Sequence, residues 1–174
     1  DFVCTSGPRD RPFEEQHTSD AIAIVTAGTF RDRNGEGEGL LGPGSLLLGN
    51  RGGCFECGHE HSTGDRCLSF HFTPRFQEAV ASALPGARTT RFFAPRLPPL
   101  SRLAPLLAQA ESACGERDVA AFEEIALRLS AAVMAVLSDL APLRHSTARR
   151  DMRRIAEALR RIEAQASERL TLAG

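Results

Sequence analysis

The sequence has 174 residues, 42% of them hydrophobic and 25% charged, enough to bury one core and short for two. No stretch approaches the roughly 18 uninterrupted apolar residues of a membrane span, and residues 1–11 lack a charged-then-apolar leader, so a soluble, cytoplasmic protein is expected. Net charge is −1, but residues 1–140 hold 13 Arg against 18 acids while residues 141–174 hold 8 Arg against 4 acids, and with no Lys every fixed cation is a guanidinium. Because the chain opens on Asp1 and not on Met, it is expected to be a piece of a longer protein. Five cysteines, an odd number at irregular spacing, argue for reduced thiols or metal ligands over a disulfide framework.

From residue 21 to 72 the sequence reads as short apolar runs punctuated by glycine: 21–27 before Gly28, Leu40-Leu41 before Gly42-Pro43-Gly44, 45–48 before Gly49, then 55–61 and 67–72. Runs of this length between turn residues predict an all-β barrel or sandwich. Residues 32–39, alternating Gly with Arg, Asn and Glu, read as a solvated loop or hairpin end.

Within that region Cys54, Cys57, His59, His61, Cys67 and His71 fall inside 18 positions, the densest group of metal-ligand residue types in the chain. On an extended strand Cys57, His59 and His61 share one face, as do Cys67 and His71 on the next. Residues 62–65 are expected to turn the chain so that the two strands run side by side. A tight turn at Thr63-Gly64 pairs His61 with Arg66 and sends Cys67 to the opposite face. A five-residue loop over 62–66 instead puts Cys67 opposite His61 and His71 opposite Cys57. In that second register Cys57, His61, Cys67 and one of His59 or His71 make an S2N2 tetrahedron suited to zinc, or to a softer metal such as Cu(I). Buried thiols serving as small apolar groups, or a redox-sensing thiol, are the alternatives. Cys4 sits in a frayed end, Cys114 on an apolar helical stripe, and His145 in a linker.

After Pro74 the period changes. Leu100, Leu103, Leu107, Ala110 and Cys114 follow helical spacing behind Pro98-Pro99, with Gly115 as the stop. Phe122, Ile125, Leu129, Ala132, Val136 and Leu140 repeat it up to Pro142, while Leu127, Met134 and Leu137 add apolar surface on another side. This helical hairpin carries more apolar surface than one partner covers, so either a second copy of the chain or other parts of the same domain must bury the rest. A third helix is expected over about residues 147–166, with Met152, Ile155, Leu159, Ile162 and Ala166 as its stripe and arginines around it.

Two passages resemble the AraC family of bacterial transcription regulators, whose cupin-like sensor and dimerisation domain precedes two helix-turn-helix motifs. One is the glycine-turn strand Leu41-Gly42-Pro43-Gly44-Ser45-Leu46-Leu47-Leu48, followed by the Cys57 to Cys67 segment and Leu68-Ser69-Phe70-His71-Phe72. The other is residues 155–164 with Leu170-Thr171-Leu172-Ala173, which looks like the opening helix of the DNA-binding domain. The resemblance implies an α+β fold: a cupin-like (double-stranded β-helix, jelly-roll) barrel over 1–74, a dimerising helical hairpin over 75–145, and a linker helix opening the DNA-binding domain over 146–174. It also implies that the recognition helices lie downstream of Gly174, so that specific DNA contact is made only by that missing part. The Arg-rich third helix either touches phosphates or is a solvated scaffold face.

Gly53, His59, His61 and Asp65 also resemble the first cupin metal motif. Gly44, Asn50 and Gly52 align with the second, leaving Phe55 where its His would stand. The first motif then falls earlier, with His17 as the one surviving ligand, Ala21 in the Glu position and then Gly28, which argues against an ordinary cupin metal enzyme. A Cys57 or Cys67 dyad with His61 lacks a recognisable third group or oxyanion site, and there is no Gly-x-Ser-x-Gly elbow and no phosphate loop. The resulting expectation is a non-enzymatic, effector-sensing and dimerisation domain of an AraC-type regulator, forming a homodimer and responding to or stabilised by zinc or another transition metal. Its alternative is a cupin-like metalloenzyme or metal-binding protein. Nothing in the sequence identifies the effector.

Overall fold

The computed structural model describes residues 1–59, 64–84 and 89–139, with isolated positions 154, 157, 158 and 160. In chain order these form β1 (Phe2–Cys4), β2 (Phe13–Gln16), β3 (Asp20–Gly28), β4 (Phe30–Asn34), β5 (Gly37–Leu41), β6 (Leu46–Gly49), β7 (Cys54–Gly58) and β8 (Asp65–Phe72). There follow α1 (Pro74–Ala83), β9 (Arg96–Leu97), α2 (Ala104–Glu116) and α3 (Val119–Asp139). The fold is α+β. One sheet has the order β1-β8-β3-β6-β9, the other β2-β7-β4-β5, and every pairing described is antiparallel. Among the described residues no strand pairs one sheet to the other, so the two face each other without closing a barrel.

Strand alternation splits the core into two layers. On the first sheet Ile22, Ile24, Leu46, Leu48, Leu68, Phe70 and Phe72 point outward and are covered by α2 and α3. Phe70 stacks on Phe122 of α3, and Phe72 on Phe76 of α1, both with ring centroids 5.2 Å apart. Burying one such side chain is worth about 1.5–3 kcal/mol. The opposite residues of the same strands face the second sheet, where Val25, Phe30, Leu41, Leu47, Phe55, Cys57 and Cys67 form a smaller cluster.

Several expectations change. Residues 32–39 form a β4–β5 hairpin end, but Asp32 is fully buried and not solvated. Its Oδ2 accepts hydrogen bonds from Arg96 Nη1 at 2.5 Å and Asn34 Nδ2 at 3.0 Å. α2 runs through Gly115 and ends at Arg117, which takes the left-handed conformation (φ 56°). Asp118 then donates its N–H to the Ala113 carbonyl and caps α3 by accepting from Ala121 N. α1 was not anticipated, although Thr73 accepts from Phe76 N in front of Pro74, an ordinary helix start. It takes up the apolar surface expected to be left over: α1 packs on α3, joined by Ser130 Oγ donating to Gln77 Oε1 at 2.9 Å, both residues fully buried. Met134 and Leu137 are buried within the chain, leaving Val119 and Leu127 exposed on α3. Among the described residues no helix is long and apolar enough to cross a membrane. His145 and most of the expected third helix lie outside the described residues; positions 154, 157, 158 and 160 are helical.

Candidate functional site

The inward faces of the two sheets enclose a chamber of about 380 Å³. Four alternate residues of β8, Asp65, Cys67, Ser69 and His71, line one wall, with Ala21 and Ala23 beside them on β3. Phe13 and Glu15 of β2, Phe30 of β4, and Phe55 and Cys57 of β7 line the facing wall. The alternation that puts Leu68, Phe70 and Phe72 under the helices therefore gives the chamber its polar groups.

At the exposed end, the His17 ring stacks on Phe55 with centroids 4.8 Å apart and an 18° tilt. It also lies flat over Gly49, where a Cβ would come within 2.3 Å of the imidazole Nδ1. Burial first, and then the neighbouring His71, pushes the His17 imidazole below the usual histidine range, with Asp20 opposing. His17 is therefore a neutral hydrogen-bonding group at neutral pH. His71 is exposed, and its Nδ1 lies 2.9 Å from Ser19 Oγ. Glu15 is raised above the usual carboxylate range by burial and by Asp65.

At the buried end, the chain leaves β7 at His59 and enters β8 at Asp65. His59 Nε2 lies 2.6 Å from Asp65 Oδ1, with both side chains almost wholly buried. Cys67 Sγ donates to Asp65 Oδ2 at 3.2 Å. β1 brings in Cys4, paired in register with Asp65. Gly64 makes that approach possible, because its φ is +71° and a Cβ there would lie 2.3 Å from the Cys4 carbonyl oxygen. Cys4, His59 and Asp65 offer ligand atoms that all lie within 4.8 Å of one another. Burial, followed by the charge of Asp65, pushes the Cys57 and Cys67 thiols up, so both are neutral.

The expected side-by-side pairing of the Cys57 and Cys67 strands does not occur. β7 is flanked by β2 and β4 in one sheet, β8 by β1 and β3 in the other, and neither has a free edge for its neighbour in sequence. Cys57 stands opposite Phe13 and Asp32, and Cys67 opposite Phe2 and Val25. Of the residues proposed as ligands from the sequence, Cys57, Cys67 and His71 line the chamber, and His59 bonds to Asp65, which lines it too. His71 is six residues along β8 from Asp65, about 20 Å away by strand geometry, and cannot share an ion with His59. His61 lies outside the described residues, and the dyad it would have formed lies there with it. All five cysteines are free thiols. Cys4, Ser69 and Glu15 were given no role by chemistry, and Asp65 appeared only as the last position of the resemblance to the first cupin metal motif. The period-two run from Asp65 to His71 was the available signal, but its partners come from strands far away in sequence.

No protein-family model and no curated protein matches the chain significantly. Among solved structures it is similar to the AraC-like transcriptional activator CuxR, with a TM-score of 0.52 and 18% identity over 92% of this chain and 59% of that one. It is also similar to ToxT from Vibrio cholerae O395 bound to (E)-4-(8-methylnaphthalen-1-yl)but-3-enoic acid, at a TM-score of 0.53 and 11% identity over 98% of this chain and 67% of that one. Apo ToxT from Vibrio cholerae strain SCE256 matches at a TM-score of 0.51 and 12% identity, over 99% and 66%. The chain thus has the fold of AraC-like transcription regulators, and it spans about 59% of the length of CuxR.

Proposed function

We propose that this chain is the effector-sensing and dimerisation part of an AraC-type transcription regulator, a cytoplasmic DNA-binding protein and not an enzyme. On this reading the two facing sheets are an opened cupin-like barrel. Specific DNA contact is assigned to helices outside the described residues, and any contact the described ones make with duplex DNA should be weak and steeply salt-dependent.

The observation that carries the reading is the chamber of about 380 Å³ between the sheets, on a fold shared with such regulators. Its walls combine an apolar body, from Phe13, Phe30, Leu47 and Phe55, with polar groups that include His17 and Ser69. This suits a small molecule with a flat apolar part and a polar head. ToxT is bound to an acid of that build, which makes the naphthyl butenoic acid a suitable first probe.

Titration calorimetry and thermal melting test the proposal. The probe is expected to bind and to raise the melting temperature. Ala23→Leu, which fills the chamber from β3, should abolish binding while the protein stays folded. No binding by this acid or by other bicyclic carboxylic acids at millimolar concentration would overturn the effector class, and unchanged binding in Ala23→Leu would overturn the chamber as the site.

A further inference from the structure

We infer that the buried end of the chamber is a zinc site formed by Cys4, His59 and Asp65, with Cys67 as fourth ligand. The site follows from geometry and donor chemistry and is independent of the regulatory reading. The ligand atoms of Cys4, His59 and Asp65 already lie within 4.8 Å of one another. Around a tetrahedral zinc with bonds of about 2.0–2.3 Å, ligand atoms sit roughly 3.3–3.8 Å apart, so closure needs shifts of about 1 Å. Cys67 Sγ is 3.2 Å from Asp65 Oδ2 but stands outside that group of three, so it must turn further than the others to complete the tetrahedron.

Without a cation the buried Asp65 carboxylate is held, among the described residues, by His59 and Cys67 alone. His59 is buried with Nε2 facing Asp65, so Nε2 is the nitrogen that would meet the ion, while Nδ1 lies on the far side of the ring. A carboxylate buried against an imidazole and a thiol is costly unless a positive charge compensates it. Two thiols, an imidazole and a carboxylate form a mixed sulfur, nitrogen and oxygen set suited to a borderline-soft divalent ion. Binding would release the two thiol protons to solvent and leave Zn(II) with two thiolates, neutral His59 and the Asp65 carboxylate, so affinity should rise with pH.

The site would act as a clamp. Cys4 belongs to β1 and Asp65 and Cys67 to β8, all in one sheet, whereas His59 directly follows β7 of the other. One ion would tie the two walls of the chamber together at the end away from His17 and His71.

The deciding experiment uses the chain purified without chelator. Elemental analysis should find about one zinc per chain, and the cobalt-substituted protein should show thiolate-to-metal charge transfer and the intense visible bands of four-coordinate cobalt. Loss of an orienting partner alone weakens metal sites about 10–100-fold, so losing a ligand in Cys4→Ser or Asp65→Asn should raise the zinc Kd at least about 100-fold in competition with a chromophoric chelator. Cys114→Ser, on α2, should leave it unchanged. Should Asp65→Asn fail to fold, the wild-type cobalt spectrum and Cys4→Ser still decide. Metal-free protein whose melting temperature does not move on adding Zn(II), or zinc binding indifferent to Cys4→Ser, would overturn the site and leave His59 and Asp65 as a structural hydrogen-bonded pair.

Discussion

His17 shows how one side chain becomes a titratable sensor of its surroundings. Its ring is held between Phe55 and the bare backbone of Gly49, and burial with the nearby His71 lowers its proton affinity in the folded state. The unfolded chain then binds more protons below the ordinary value of 6.5. This contribution to stability is complete above that pH and is lost as pH falls through the depressed folded value. Between about pH 7 and about pH 5, His17→Gln should therefore lose less stability than the parent chain, measured by urea denaturation. Equal slopes in the two proteins would show that the imidazole is not titrating there. Glu15 and Asp32, raised in the folded state, act with the opposite sign at lower pH, so only the difference between the two proteins isolates His17. In sequence, His17 was visible only as the remnant of a metal motif. Its seat depends on the long-range pairing of Ala21 with Gly49, which no local pattern reveals. Cys4 was hidden for the same reason, because a three-residue strand at a sheet edge carries too few residues to show a period.

At the level of elements, the glycine-punctuated apolar runs located β3, β6 and β8 well, because those strands are buried on at least one face along much of their length. β4 was misread, since its Arg and Asp pattern looks solvated until the partner from β9 is in place. Arg96 spans 64 positions of sequence to reach Asp32, laying its side chain over Gly39, where a Cβ would collide with it. Even with this guanidinium beside it, burial holds the Asp32 carboxyl above the usual range. Arg96→Met should accordingly destabilise the protein by about 3 kcal/mol near neutral pH, the cost of stranding a buried charge. The proton affinity of Asp32 would rise further in the folded state of that variant. The penalty should therefore shrink as pH is lowered toward the ordinary carboxylate range, where the group protonates. Pairing the change with Asp32→Asn should recover part of the loss. A pH-independent cost below about 1 kcal/mol in chemical denaturation would mean that the pair contributes little.

For the whole molecule, helices cover one sheet while the other presents a charged outer face, on which Arg31 and Arg33 pair with Glu38 and Glu56. The helical hairpin was legible from its spacing, but its surplus of apolar residues pointed outward only as long as α1 was unseen. With α1 and the first sheet in place, Leu137 is 4% exposed and Leu127 is 50% exposed. A proposed dimer contact on α3 thus centres on Leu127, and the two positions make opposite predictions. Leu137→Arg puts a charge into the packed core and should unfold the chain, which reports nothing about association. Leu127→Arg should leave folding intact and shift a dimer toward the 18.8 kDa monomer in sedimentation at micromolar concentration. Such a monomer in the unmutated chain would remove the dimer, and a dimer unaffected by Leu127→Arg would move the contact off this face. Because α3 also packs through Phe122 on Phe70 of β8, the strand that lines the chamber and the helix proposed to meet its partner are in direct contact. A ligand that shifts β8 therefore has a one-step route to the dimer, and adding the naphthyl probe should change the dimer dissociation constant of the parent chain.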